Sequence, residues 1–164
     1  MNALARPEVG DYLNRHFVST YVKVATFQIV GKQKQGGNVA GYFCTPDGRV
    51  LHAVAGPVDG KTLLREARWV VDAHKLFAQE ARPRDDPEPM RNFFFRIHAE
   101  RLRTQHGVDL EGDAAADRRL DNAGRVHLLL AAAPLPRIEQ VYKVVFEKIL
   151  NEKISTSPVI ERRN

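Results

Sequence analysis

The sequence predicts an α/β fold, with a sheet built around a central antiparallel hairpin followed by a C-terminal all-helical extension. Three observations carry this expectation. Residues 17–27, "FVSTYVKVATF", form a β-branched run of period two. "PDG" at 46–48 separates two short apolar runs, as a hairpin turn does. Beyond Pro83, apolar residues recur only at helical spacing.

The elements follow in order. Residues 7–16, "PEVGDYLNRH", open with a proline suited to a first helical turn, and Val9 and Leu13 share a face. In the run that follows, Val18, Thr20, Val22 and Val24 lie on one face of a strand, and Ser19, Tyr21 and Lys23 on the other. "GKQKQGGN" at 31–38 is polar and glycine-rich, which predicts a loop. "VAGYFCT" and "RVLHAVAG" then form the two hairpin strands, where Pro46 presets the turn and Gly48 tolerates a positive φ. Asp59 caps a helix in which Leu63, Leu64, Ala67, Val70, Val71, His74 and Phe77 recur at helical spacing, ending before Pro83.

The second half reads as three helices. "EPMRNFFFRIHAERLRTQ" stops at Gly107, and "DAAADRRLDNAGRVHLLLAAA" runs to Pro134 with Gly124 as its weak point. "PRIEQVYKVVFEKILNEK" starts at Pro136 and lines up Ile138, Val141, Val145 and Ile149. The expected organisation is a first domain over 1–82, a Pro/Asp-rich hinge over 83–89, a helical extension over 90–153 and a loose tail over 154–164.

Composition bounds the function. The chain has 164 residues, 43% of them apolar and 27% charged, which is the balance of a globular protein rather than a disordered one. The longest apolar candidate, "VHLLLAAA", is far short of the roughly 20 residues a membrane span needs. The first residues lack the apolar core and cleavage site of a signal peptide, and one cysteine forms no internal disulfide, so the cytoplasm is the expected compartment. The net charge of +5 raises nucleic acid as a partner. Acids are interspersed among the bases, and Arg91, Arg96, Arg101 and Arg103 spread over one helix, which favours a solvated face over a phosphate-binding stripe.

The run "VGDYLNRHFVSTYVKV…GGNVAGYFCTPDGRVLHAVAGPVDGKTLLREARWVV" resembles the latter two-thirds of a thioredoxin-like domain over roughly residues 8–78. The resemblance implies a helix leading into a strand, then the hairpin and a closing helix. It implies no redox activity here. The Cys-x-x-Cys pair such enzymes carry would fall near Ala5 to Glu8, where there is no cysteine, and the cis-proline would fall near Gly37 or Asn38, which are not proline. The domain is thus N-terminally short and lacks its dithiol.

Candidate sites are few. Cys44 reads as a compact apolar strand residue, and its functional reading is a thiol assisted by His52 on the partner strand. In the simplest register, however, Cys44 lies opposite Val50 or Leu51, with His52 one step further out. "AGPVDGKT" at 55–62 satisfies a permissive phosphate-loop pattern, but Pro57 removes a backbone N–H and Asp59 would oppose an anion, so a helix cap explains it better. The histidines at 16, 52, 74, 98, 106 and 127 show no i, i+4 pair and no partner cysteines, so the spacing points to no metal site and no cofactor. Asp85, Asp86 and Glu88 read as a solvated linker. Phe93, Phe94 and Phe95 together span about 200° of a helix, so at least one ring faces a neighbouring helix, a partner or solvent. "APLPR" at 133–137 reads as an interhelix connector.

The expected function is a non-catalytic thioredoxin-like binding or scaffolding module, with a protein partner or a second copy as its ligand. A thiol-dependent redox protein using Cys44 is the alternative, and a basic nucleic-acid-associated module is a third.

Overall fold

The computed structural model describes residues 3–22, 28–30, 33–35, 38–80, 88–110 and 116–154. It is mixed α/β and mostly helical. A short 3-10 turn, Ala3–Ala5, precedes α1 (Pro7–His16). Strands β1 (Gln28–Val30) and β2 (Gln33–Gln35) pair antiparallel, as do β3 (Ala40–Cys44) and β4 (Val50–Ala55). Helices α2 (Gly60–Glu80), α3 (Glu88–His106), α4 (Ala116–Arg119), α5 (Asn122–Ala132) and α6 (Ile138–Val144) follow, and a π-helical turn, Val145–Ile149, extends α6.

The central hairpin forms where its turn chemistry places it. Gly48 donates its N–H to the Thr45 carbonyl at 2.9 Å and takes a φ of +81°, a conformation glycine adopts without penalty. Cys44 pairs with Val50 and Phe43 with His52, so a bulge leaves Leu51 as the extra residue on β4. The connector after α5 adds to this end of the hairpin. Val50 donates to the Pro136 carbonyl at 2.8 Å, and Ile138 donates to the Gly48 carbonyl at 3.0 Å.

Three local expectations are corrected. Residues 17–22 carry no strand, and the Val18, Tyr21 and Val22 side chains are exposed; among the described residues no neighbouring strand pairs with them. Residues 23–27 of that expected strand lie outside the described residues, as do 81–87 of the hinge, with Asp85 and Asp86, and 155–164 of the tail. Gln33–Gln35, expected in a loop, form β2. Of the helix expected over 113–133, residues 113–115 lie outside the described residues, and the described part breaks at Leu120–Asp121 rather than at Gly124. Asp121 caps α5 by accepting the Gly124 N–H at 2.8 Å. Gly124 is buried inside α5, where a Cβ would lie 2.7 Å from Leu120 Cδ2 and 3.0 Å from His106 Nδ1. The missing side chain makes room for those two residues.

Helix α2 starts as expected, with Asp59 Oδ1 accepting the Thr62 N–H at 2.7 Å. All six residues of β4 are buried, because apolar clusters form around the strand from two sets of helices. Leu51 and Val54 pack with Ala67 and Val70 of α2 and with Phe93 and Phe94 of α3. Val50 and Ala53 pack with Val126 and Leu130 of α5 and with Val141, Val145 and Ile149. Leu102, Val108, Leu120 and Ala131 form a third cluster. Among the described residues, no helix is long and apolar enough to cross a membrane.

Candidate metal centre

Three histidines meet where β4, α2, α3 and α5 converge. His52 comes from β4, His98 from α3 and His127 from α5, and all three are at most 3% exposed. One ring nitrogen from each lies within 4.8 Å of the others. Around them stand Glu66 and Trp69, three apart on one face of α2, and Arg101, three residues beyond His98 on α3.

The hydrogen bonds fix where the protons sit. His98 Nε2 lies 2.9 Å from the Leu51 carbonyl, which only accepts, so Nε2 carries the proton and Nδ1 is bare. His98 Nδ1 lies 2.8 Å from His127 Nδ1, so His127 donates there and its own Nε2 is bare. Arg101 Nη1 reaches that bare nitrogen at 3.4 Å. On the other side, His52 donates from Nε2 to Glu66 Oε2 at 3.4 Å. His52 Nδ1 is then a buried lone pair with no hydrogen-bond partner among the described residues.

Glu66 is the electrostatic counterweight. Arg101 Nη1 sits 2.5 Å from its Oε2, and Arg65 Nη2 sits 2.8 Å from its Oε1. Burial alone would push the carboxyl up, but the hydrogen bonds from His52, Arg101 and Arg65 outweigh it and hold Glu66 well below the usual carboxylate range. The imidazoles move the other way. Burial, then repulsion from His52, carries His98 down to about 3. Burial, then repulsion from His52 and His98, lowers His127 further, with Glu66 opposing. Burial also lowers His52, against the pull of Glu66. The cluster is therefore three neutral imidazoles beside one carboxylate and one guanidinium.

That arrangement suits a divalent transition metal. Imidazole nitrogens bind zinc-class ions when neutral, with metal–nitrogen bonds of about 2.0–2.1 Å, so two ligands of a tetrahedral ion stand about 3.3 Å apart. The separations here, 2.8 Å between His98 Nδ1 and His127 Nδ1 and within 4.8 Å for one nitrogen from each ring, bracket that value. A ligating histidine is normally oriented by a carboxylate or a backbone carbonyl on its other nitrogen. His52 has Glu66 in that role and His98 has the Leu51 carbonyl.

The residues singled out from sequence fall in different places. His52 faces the cluster, while Cys44 packs in the α5–α6 cluster beside Val50, so the structure does not bring Cys44 and His52 together as a pair. Burial, then the nearby Glu139 carboxylate, pushes the Cys44 thiol up to about 11. Phe93 and Phe94 are core residues, and Phe95 is 41% exposed on the outer face of α3. His74 lies exposed on α2. Sequence spacing pointed to no metal site, because the three imidazoles come from three separate elements. The signal available was their isolation: His52 is the one polar residue of "VLHAVA", and His127 the one polar residue of "VHLLLAA".

No family model, curated protein or solved structure matches the chain.

Proposed function

We propose that the chain is a non-catalytic binding module whose ligand is a divalent transition-metal ion of the zinc class, held by His52, His98 and His127. The observation that carries this reading is the Nδ1 of His52, which has no hydrogen-bond partner among the described residues and is buried beside two further neutral imidazoles. A buried acceptor left bare costs about 1–3 kcal/mol, and a metal ion would use that lone pair. Three histidines alone leave a fourth position open, as in catalytic zinc sites; the burial of all three imidazoles is what argues for holding the ion rather than presenting it to a substrate. The thioredoxin-like resemblance enters as an expectation of architecture alone: α1, the central hairpin and α2 come in the order it implies, whereas residues 17–22, in the strand it implies after α1, carry none.

Equilibrium dialysis against Zn²⁺ and Co²⁺, with metal content measured on the folded chain, tests this. About one equivalent should be retained, Co²⁺ should give the visible absorption of a tetrahedral site with three imidazole ligands, and His52→Ala should lose both. Retention of neither metal, or equal retention by a folded His52→Ala variant, would show that the cluster is a purely structural hydrogen-bond network.

A protein partner or a second copy is a further part of this reading. Its support is the exposed apolar side chains of Val18, Tyr21, Val22 and Val39. Light scattering across a concentration series distinguishes a self-associating chain from one that remains monomeric.

A further inference from the structure

We propose that Arg101 gates the histidine site, so that an ion reaches the three imidazoles only when the guanidinium leaves His127. The inference rests on the metal-binding reading and adds the residue that controls it.

The argument turns on the two nitrogens of His127. In the structure Nδ1 donates to His98 and Nε2 accepts from Arg101 Nη1 at 3.4 Å. If the ion binds at Nε2, it must occupy the direction from which Arg101 approaches. If it binds at Nδ1, the ring proton moves to Nε2 and there opposes an Arg101 N–H, donor against donor. Either way the contact breaks. Charge acts in the same direction, because a guanidinium and a divalent ion sharing a buried site repel each other strongly.

The surroundings allow the departure. The Arg101 side chain is 12% exposed, so it lies at the margin of the cluster rather than at its centre. Glu66 would not be left alone, since Arg65 holds Oε1 at 2.8 Å and His52 approaches Oε2 at 3.4 Å. The guanidinium carbon now stacks 4.1 Å from the centre of the Trp69 ring. Trp69 is the only tryptophan of the chain, so its fluorescence reports the site without labelling.

The test uses the full chain, with zinc removed or at saturation. Bound zinc is measured by dialysis, and phenylglyoxal modification of Arg101 is mapped by mass spectrometry. Zinc should accelerate modification of Arg101 at least several-fold, and Arg101→Met should bind zinc at least tenfold more tightly than the wild type. Trp69 emission follows the titration in both proteins. If zinc binds and Arg101 stays as unreactive as before, or if folded Arg101→Met binds no more tightly, Arg101 is not the gate and the metal site stands without it. If Arg101→Met fails to fold, the wild-type modification rates decide alone. If dialysis finds no zinc on the wild type, the metal-binding reading fails and the gate falls with it.

Discussion

His52 and Glu66 face each other across 3.4 Å inside the fold, and both are nearly removed from water. Glu66 also holds Arg101, so one carboxylate orients a histidine and neutralises a largely buried cation at once. Each of these groups would be costly to bury alone. Together they form a closed polar circuit on the seam between the first half of the chain and the helices after it.

Glu66→Gln keeps the shape and removes the charge. It leaves Arg101 beside neutral imidazoles with no anion, and the expected loss is about 3–5 kcal/mol of stability. Adding Arg101→Met should restore part of it, giving a positive coupling in a double-mutant cycle measured by urea denaturation. Simple additivity of the two changes would show that the ion pair contributes nothing beyond its separate halves.

The buried histidines make stability depend on acidity. Their folded pKa values lie below the ordinary 6.5, with His98 near 3, so below 6.5 the unfolded chain binds protons that the folded chain refuses. Stability is therefore complete above pH 6.5 and falls as pH drops toward 3, by up to about 1.4 kcal/mol per pH unit for each histidine. Glu66, held low, adds a further loss below its unfolded value of 4.5. Urea midpoints of the chelator-treated protein should hold between pH 7.5 and about 6.5 and decline from there to pH 5, and a profile flat down to pH 5 would contradict neutral buried imidazoles.

Adjacent phenylalanines should behave very differently. Phe94 is 1% exposed and Phe95 41%. Phe94→Ala should cost about 3–5 kcal/mol through the cavity it leaves, whereas Phe95→Ala should stay within about 0.5 kcal/mol. Thermal or urea unfolding of the two variants checks the contrast. Equal losses would mean that Phe95 is covered in solution.

Cys44 should be a slow thiol. With its pKa near 11, about one molecule in ten thousand carries the thiolate at pH 7. Alkylation by iodoacetamide should keep rising with pH past 9. A rate that levels off near neutrality would restore the redox alternative.

The parts legible in the sequence are those whose chemistry is local. The central hairpin follows from Pro46, Asp47 and Gly48, and the start of α2 from Asp59 three residues before Thr62. The break before α5 was hidden because Asp121 reads as one more polar residue among several, and because Gly124 draws the eye as a helix breaker. The histidine cluster was hidden for a deeper reason. Metal motifs are recognised by spacing within one element, whereas here β4, α3 and α5 supply one ligand each. His52 draws attention as a partner for Cys44, yet its real neighbours are fixed by tertiary packing. Glu66, Trp69, His98 and Arg101 carry no pattern that separates them from ordinary helical residues.

The same packing has a consequence for how the chain folds. The hydrogen bonds that satisfy the cluster span 29, 35 and 47 residues of sequence, and the last of them ties α3 back to β4. A ribosome emitting this chain from its N-terminus would release the central hairpin and α2 long before α5 exists. Until then, Glu66 and His52 stand beside a half-built interior that water can still enter. The polar circuit can close only once α5 has been made, so the early segment should remain loosely ordered and late contacts should set the folding rate.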